Sequence, residues 1–214
     1  MRKYFILLLS FTLFGCSNSS FQEANAPHEK EQVLSQKKIK RSDVYVSNPQ
    51  VPDDRTLLKV GDSYSDRKGE ITLHAIDDLD RTYNIGDIEM TIKDVKLIQL
   101  VPDYSLIDYF HTLTHEEQFV FAKVYVEIKN NSSENLNFAP VAIFETSEGE
   151  NIPWENDIYL EDLNGVIEGQ EQKFGNIGFI LERSKIDSLT ITTSDVFNKD
   201  EDKIQDAEKI KIDF

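Results

Sequence analysis

The sequence is poor in sulfur, glycine and proline, and it has no apolar stretch long enough to cross a bilayer as a helix. One cysteine, Cys16, in 214 residues excludes an intramolecular disulfide, so packing alone is expected to hold the fold. Only two methionines and one tryptophan, Trp154, are present. Basic side chains are outnumbered, 23 against 39 acidic ones, for a formal net charge of −16. Such a surface repels phosphate backbones, which excludes nucleic acid as a partner. What is abundant argues for a packed core: 13 Phe and 8 Tyr, with many β-branched residues, are incompatible with global disorder.

The longest apolar run, Tyr4 to Phe14, has 11 residues and follows Arg2 and Lys3. A spanning helix needs about 20 residues, so this length fits the apolar segment of an export signal. The run stops at Leu13-Phe14-Gly15-Cys16 and gives way to Ser17-Asn18-Ser19-Ser20. This junction resembles the lipobox of bacterial lipoproteins, with Phe14 bulkier than the usual occupant of its position. The resemblance implies cleavage before Cys16, diacylglycerol on the Cys16 sulfur and, often, acylation of the new amino terminus, as by palmitate. It also implies a location on the extracytoplasmic face of the cell membrane. Two or three acyl chains, at about 0.8 kcal/mol per buried CH₂, make a durable anchor where one does not. Loss of Arg2 and Lys3 with the signal would take the net charge from −16 to −18.

Residues 16–42 are expected to be the lipidated N-terminus and a polar, disordered tether. Residues 43–69, with Pro49 and Pro52, are read as an N-terminal extension, with short edge strands at Val44–Val46 and Thr56–Val60. From residue 70 to 214 the pattern is β. Ile88, Met90 and Ile92 alternate, and Val95 and Leu97 continue on the opposite parity, which predicts a bulge near Lys93-Asp94. In Phe119–Lys129, Val120, Ala122, Val124, Val126 and Ile128 share one face, leaving a mixed face of Phe119, Phe121, Lys123, Tyr125 and Glu127. Leu136–Thr146 is expected to return as its partner strand, and Lys199–Lys209 to be a brief helix. Glu155–Leu163 is expected to be a single helical turn or an irregular crossover. The pattern therefore predicts an all-β fold, an antiparallel β-sandwich of about seven or eight strands.

Four features from Tyr83 onward resemble a known family. They are Tyr83-Asn84-Ile85-Gly86-Asp87; Val124 to Ser132; the Ser147-Glu148-Gly149 turn; and Ile167-Glu168-Gly169-Gln170-Glu171 followed by Gly178-Phe179-Ile180. Together they resemble the immunoglobulin-like immunoprotective extracellular domain family, found in small lipoproteins of Gram-positive bacteria and of unknown function. The resemblance covers about 60% of the chain. It implies an immunoglobulin-like sandwich and supplies no catalytic residues. The insertion from Val101 to Glu117 departs from its pattern.

No nucleophile elbow, phosphate-binding loop or dinucleotide fingerprint is present, so no catalytic residues and no cofactor are assigned. His111 and His115 are four apart and would share one face of a helix, the minimum for a zinc pair. The position after the first histidine is Thr112, where a zincin has its general base, and a third ligand would have to be Glu116, Glu117 or a distant acid. Solvated loop histidines are the better reading of these two, and a metal-binding or metal-dependent hydrolytic protein is the alternative function. Counted from Asn198, an EF-hand loop would need Gly and Glu where Lys203 and Lys209 stand, so that motif fails. Tyr104, Tyr109, Trp154 and Tyr159 fall in connections between strands and are the candidate binding-loop residues, although plugging the ends of the core is the better reading of them, because aromatics are mostly buried. The expectation is a non-enzymatic, lipid-anchored binding module, with the membrane and a protein of the cell envelope as partners.

Overall fold

A computed structural model describes residues 47–214. The expected signal peptide, Cys16, the tether and the strand at Val44–Val46 lie outside the described residues. Fourteen strands follow: β1 (Ser63–Asp66), β2 (Gly69–Asp77), β3 (Arg81–Ile85), β4 (Ile88–Pro102), β5 (Phe119–Asn130), β6 (Leu136–Phe138) and β7 (Ile143–Thr146). The others are β8 (Asn151–Pro153), β9 (Gly165–Ile167), β10 (Gln172–Leu181), β11 (Ser188–Thr192), β12 (Val196–Asn198), β13 (Lys203–Gln205) and β14 (Lys209–Asp213). One short helix, α1 (Ile107–Phe110), stands in the 101–117 insertion.

The expected all-β antiparallel sandwich is the architecture found, with more and shorter strands than the seven or eight counted. A six-stranded sheet in the order β1-β2-β4-β5-β10, with β3 also on β4, faces two four-stranded sheets, β14-β11-β7-β8 and β13-β12-β6-β9. The first core lies between them: Met90, Ile92, Val95 and Leu97 of β4 meet Phe138, Phe144, Phe179, Leu189 and Ile212. The bulge between Ile92 and Asp94 does what the parity change required, since Ile92 and Val95 both face this core.

Several expectations are corrected. Leu136–Thr146 does not pair with β5, whose neighbours are β4 and β10. Pro140 follows β6 in a break in the strand, and the chain divides into β6, paired with β9 and β12, and β7, paired with β8 and β11. Residues 199–209 hold no helix. The Asn198 side-chain oxygen accepts the N–H groups of Asp200 and Asp202, Glu201 takes φ 64°, and the resulting turn leads into β13. Thr56–Val60 forms turns, and the edge strand begins at Ser63. Glu155–Leu163 is an irregular crossover opened by a single 3₁₀ turn at Trp154–Asn156.

The mixed face of β5 is buried as well. Phe119 and Phe121 join Ile71, Leu73, Ile98 and Leu100 in a second core. Val51 and Leu57 of the extension, Phe110 of α1, and Ile158 and Tyr159 close it over. Fully burying one such phenylalanine contributes roughly 1.5–3 kcal/mol, which explains why a polar-looking segment is ordered here. Residues 47–69 are thus part of the folded domain.

Within this second layer, Lys96 and Lys123 are direct cross-strand partners, 2% and 0% exposed. Asp54 of the extension reaches between them, with its Oδ2 accepting from Lys96 Nζ at 2.7 Å and from Lys123 Nζ at 3.0 Å. Lys96 Nζ also donates to the Asp54 carbonyl oxygen at 2.8 Å, and Lys123 Nζ to Asp94 Oδ1 at 2.9 Å. Two cations and two anions balance. Burial pushes the Asp54 carboxyl up, but the two ammonium groups outweigh it and hold it well below the ordinary carboxylate range. A depressed folded-state pKa gives stability that is present above the unfolded value of 3.8 and is lost as acid protonates the native carboxylate. Asp54→Asn leaves a net buried positive charge and is expected to cost about 3–5 kcal/mol in urea unfolding at pH 7. Asp54→Asn combined with Lys96→Met is expected to recover most of that loss. Equal midpoints for wild type and Asp54→Asn would show that the bridge does not hold the layer.

Candidate functional site

A cleft of about 480 Å³ opens beside β2. That volume lies in the range of small-molecule sites, about 300–1,000 Å³. Local sequence builds it in three pieces. The first is a bulge in β2 between Leu73 and Ala75, which leaves His74 unpaired with β4 and exposed. The second is the turn at Val60–Gly61, where Gly61 takes φ +91°. This turn is pinned to the strand by Gly61 N–H donating to the Leu73 carbonyl at 2.8 Å and Leu73 N–H to the Asp62 carbonyl at 2.9 Å. The third is the Ser184–Ile186 segment between β10 and β11.

Leu97 and Ile186 in the cleft wall belong to the first core, so the cleft is an opening at the edge of the sandwich. Val60 and Ala75 extend the apolar wall, and Thr72, His74, Ser184 and Lys185 supply polar groups. In a chain with 39 acidic residues, no carboxylate of the described residues lines this cleft. Lys185 is exposed and makes no ion pair with any described residue. None of these residues stood out in the sequence. The available signal was the parity slip in Ile71-Thr72-Leu73-His74-Ala75-Ile76, where Ile76 breaks the alternation of Ile71 and Leu73.

The four aromatic candidates divide. Tyr109 and Tyr159 are brought together as part of the second core: Tyr109 Oη donates to the Ile158 carbonyl at 2.9 Å, and the Tyr159 ring lies 6.3 Å from that of Phe121. Tyr104, 88% exposed, and Trp154, 48% exposed, stand on separate 3₁₀ turns. His111 and His115 are both exposed, with ring centroids 6.3 Å apart. Among the described residues no group of three or more His, Cys, Asp or Glu is arranged to hold a metal ion.

The opposite edge of the large sheet is closed by acids. Along β10, Gly178 N–H donates to Asp157 Oδ1 at 2.8 Å and Asn176 N–H to Glu161 Oε2 at 2.8 Å. Just beyond the strand, the N–H groups of Glu182 and Arg183 meet the Glu150 carboxylate at 3.0 Å each. Glycine at 178 leaves room for this loop, since a Cβ there would come within 2.8 Å of the Tyr159 ring. Burial of Asp157 outweighs the N–H groups of Gly178, Tyr159 and Leu160 and, with Glu161 adding repulsion, lifts its carboxyl to about 6. Between pH 4 and 6 the native state keeps a proton that the unfolded chain has released, so stability from this group falls as pH rises through that window. Asp157→Asn keeps an acceptor for Gly178 and is expected to flatten the decline, by about 1–2 kcal/mol after allowance for partial exposure. Urea midpoints at pH 4.5 and 7.5 measure it; an unchanged slope in the variant counts against the assignment.

The fold and the cleft define a class: an all-β sandwich with an apolar opening at its edge. No protein-family model matches the chain. The chain is 47% identical over 232 aligned residues to the protein named "Uncharacterized protein YdhF" of Bacillus subtilis (strain 168), across 98% of both. It belongs to the same family as that protein. Among solved structures, a functionally unknown protein from Listeria monocytogenes EGD-e superposes with a TM-score of 0.50. That pair shares 11% identity over 68% of this chain and 88% of the other, a likeness of fold alone.

Proposed function

We propose that this chain is a lipid-anchored lipoprotein of the extracytoplasmic membrane face and that its immunoglobulin-like sandwich is a non-enzymatic binding module. The observation that carries the anchor is the position of the only cysteine, directly behind an apolar run half the length of a spanning helix. Cys16→Ala is expected to leave the protein unprocessed or shed from membranes. A variant that fractionates and migrates as the wild type does would remove the anchor from the account.

The cleft beside β2 supports the binding reading. Its apolar wall favours a hydrocarbon body, and His74 and Lys185, without an opposing carboxylate in the lining, favour an anionic head. The ligand class is therefore a small anionic amphiphile. Decanoate serves as the probe, with 1-decanol as the uncharged control. Calorimetry is expected to show stoichiometric decanoate binding that Lys185→Glu weakens by about tenfold or more, and weaker binding of the alcohol. Absence of decanoate binding by the wild type, or equal binding by Lys185→Glu, would refute the ligand class.

A further inference from the structure

We propose that the buried Lys123, Asp54 and Asp94 form an intramolecular amide-bond site: the ion pair described above is the unlinked precursor state, and in the product Lys123 Nζ is joined to the Asp54 side-chain carbon. The observation is the juxtaposition of a fully buried amine with two buried carboxylates. Lys123 Nζ is 3.0 Å from Asp54 Oδ2 and 2.9 Å from Asp94 Oδ1, and the side chains are 0%, 5% and 3% exposed. Condensing a primary amine with a carboxylic acid needs close approach, exclusion of water and a group that moves protons. Each has a counterpart here. The second core shields the site, and Asp94 hydrogen-bonds to the nucleophile. Lys96 Nζ is 2.7 Å from the same Asp54 oxygen, where it opposes the negative charge that develops as the tetrahedral centre forms.

The step balances without a co-reactant. Lys123 begins as an ammonium group and passes a proton to Asp94, which exposes its nitrogen lone pair. The amine attacks Cγ of Asp54, the new N–C bond forms, and Asp94 relays protons to the departing oxygen. Of the three ammonium hydrogens, one stays on the amide nitrogen and two leave with an Asp54 oxygen as water. Asp94 ends as it began, and nothing is oxidised or reduced. Before the reaction the site holds two cations and two anions; afterwards it holds Lys96 and Asp94, so its charge stays balanced. Lys96 serves as the positioning cation because it is already bound to the Asp54 backbone carbonyl. The product would tie the extension to the central strand, in a chain whose single cysteine cannot form an internal disulfide.

Peptide mapping of the folded full chain by mass spectrometry tests this. Trypsin cuts after Arg41, Arg55, Lys96 and Lys129, but an acylated Lys123 resists it. The expected product is a branched species in which residues 42–55 are joined to residues 97–129, lighter by one water than the two together. In Asp94→Asn, shown to be folded by its near-UV circular dichroism, that species is expected to disappear and cleavage after Lys123 to return. Recovery of free 42–55 and of a peptide ending at Lys123 as the main products of the folded wild type would overturn the proposal. So would a branch at Lys96, or persistence of the branch in Asp94→Asn. The wild-type digest decides the matter even if the variant does not fold.

Discussion

Two lysines face each other across adjacent central strands, inside the protein, and the rest of the structure is arranged around making that tolerable. Like charges directly opposite on one sheet face repel, and desolvation adds to the cost. Solvent cannot screen them here, because the extension, α1 and the 158–159 segment cover that face. The remedy comes from far along the chain. Asp54 lies 42 residues from Lys96 and 69 from Lys123, and its carboxylate meets both. The same contact that neutralises the lysines therefore docks the extension and helps to enclose the second core. Ion pair and apolar layer depend on each other: the apolar cover gives the pair its low dielectric, and the pair fixes where the cover sits.

This dependence accounts for what could and could not be read from the sequence. One face of β5 was legible because Val120, Ala122, Val124, Val126 and Ile128 repeat with period two. The bulge in β4 was legible because parity changes between Ile92 and Val95. The burial of the other face was not, since Lys96 and Lys123 look like solvent-facing residues until a carboxylate distant in sequence is placed beside them. The partner of β5 was missed for a related reason: a short, turn-rich connection suggested a hairpin, whereas the chain after Asn135 crosses to the opposite sheets.

The candidate site shows the same divide. The aromatic loop residues were visible by type, but type alone did not separate Tyr109 and Tyr159, packed in the second core, from Tyr104 and Trp154, exposed on separate turns. The two histidines kept their proximity and gained no third ligand among the described residues. The cleft depends on three segments far apart in the chain, and its distinguishing chemistry is a lining with no acid among the described residues of an acidic protein. Only the folded arrangement exposes such a property, because neither His74 nor Lys185 has unusual neighbours in sequence.

The acid-closed margin of β10 has a wider consequence. An unpaired strand offers a row of donors and acceptors to any other strand, and so invites sheets to grow from molecule to molecule. Carboxylates from Asp157 and Glu161 occupy donors of β10, and Glu150 those just past its end, while the Ile158 N–H takes the Gly178 carbonyl. An incoming strand would have to displace these contacts and approach charged groups that repel its own carbonyl oxygens. At these positions the six-stranded sheet is closed to the addition of a further strand.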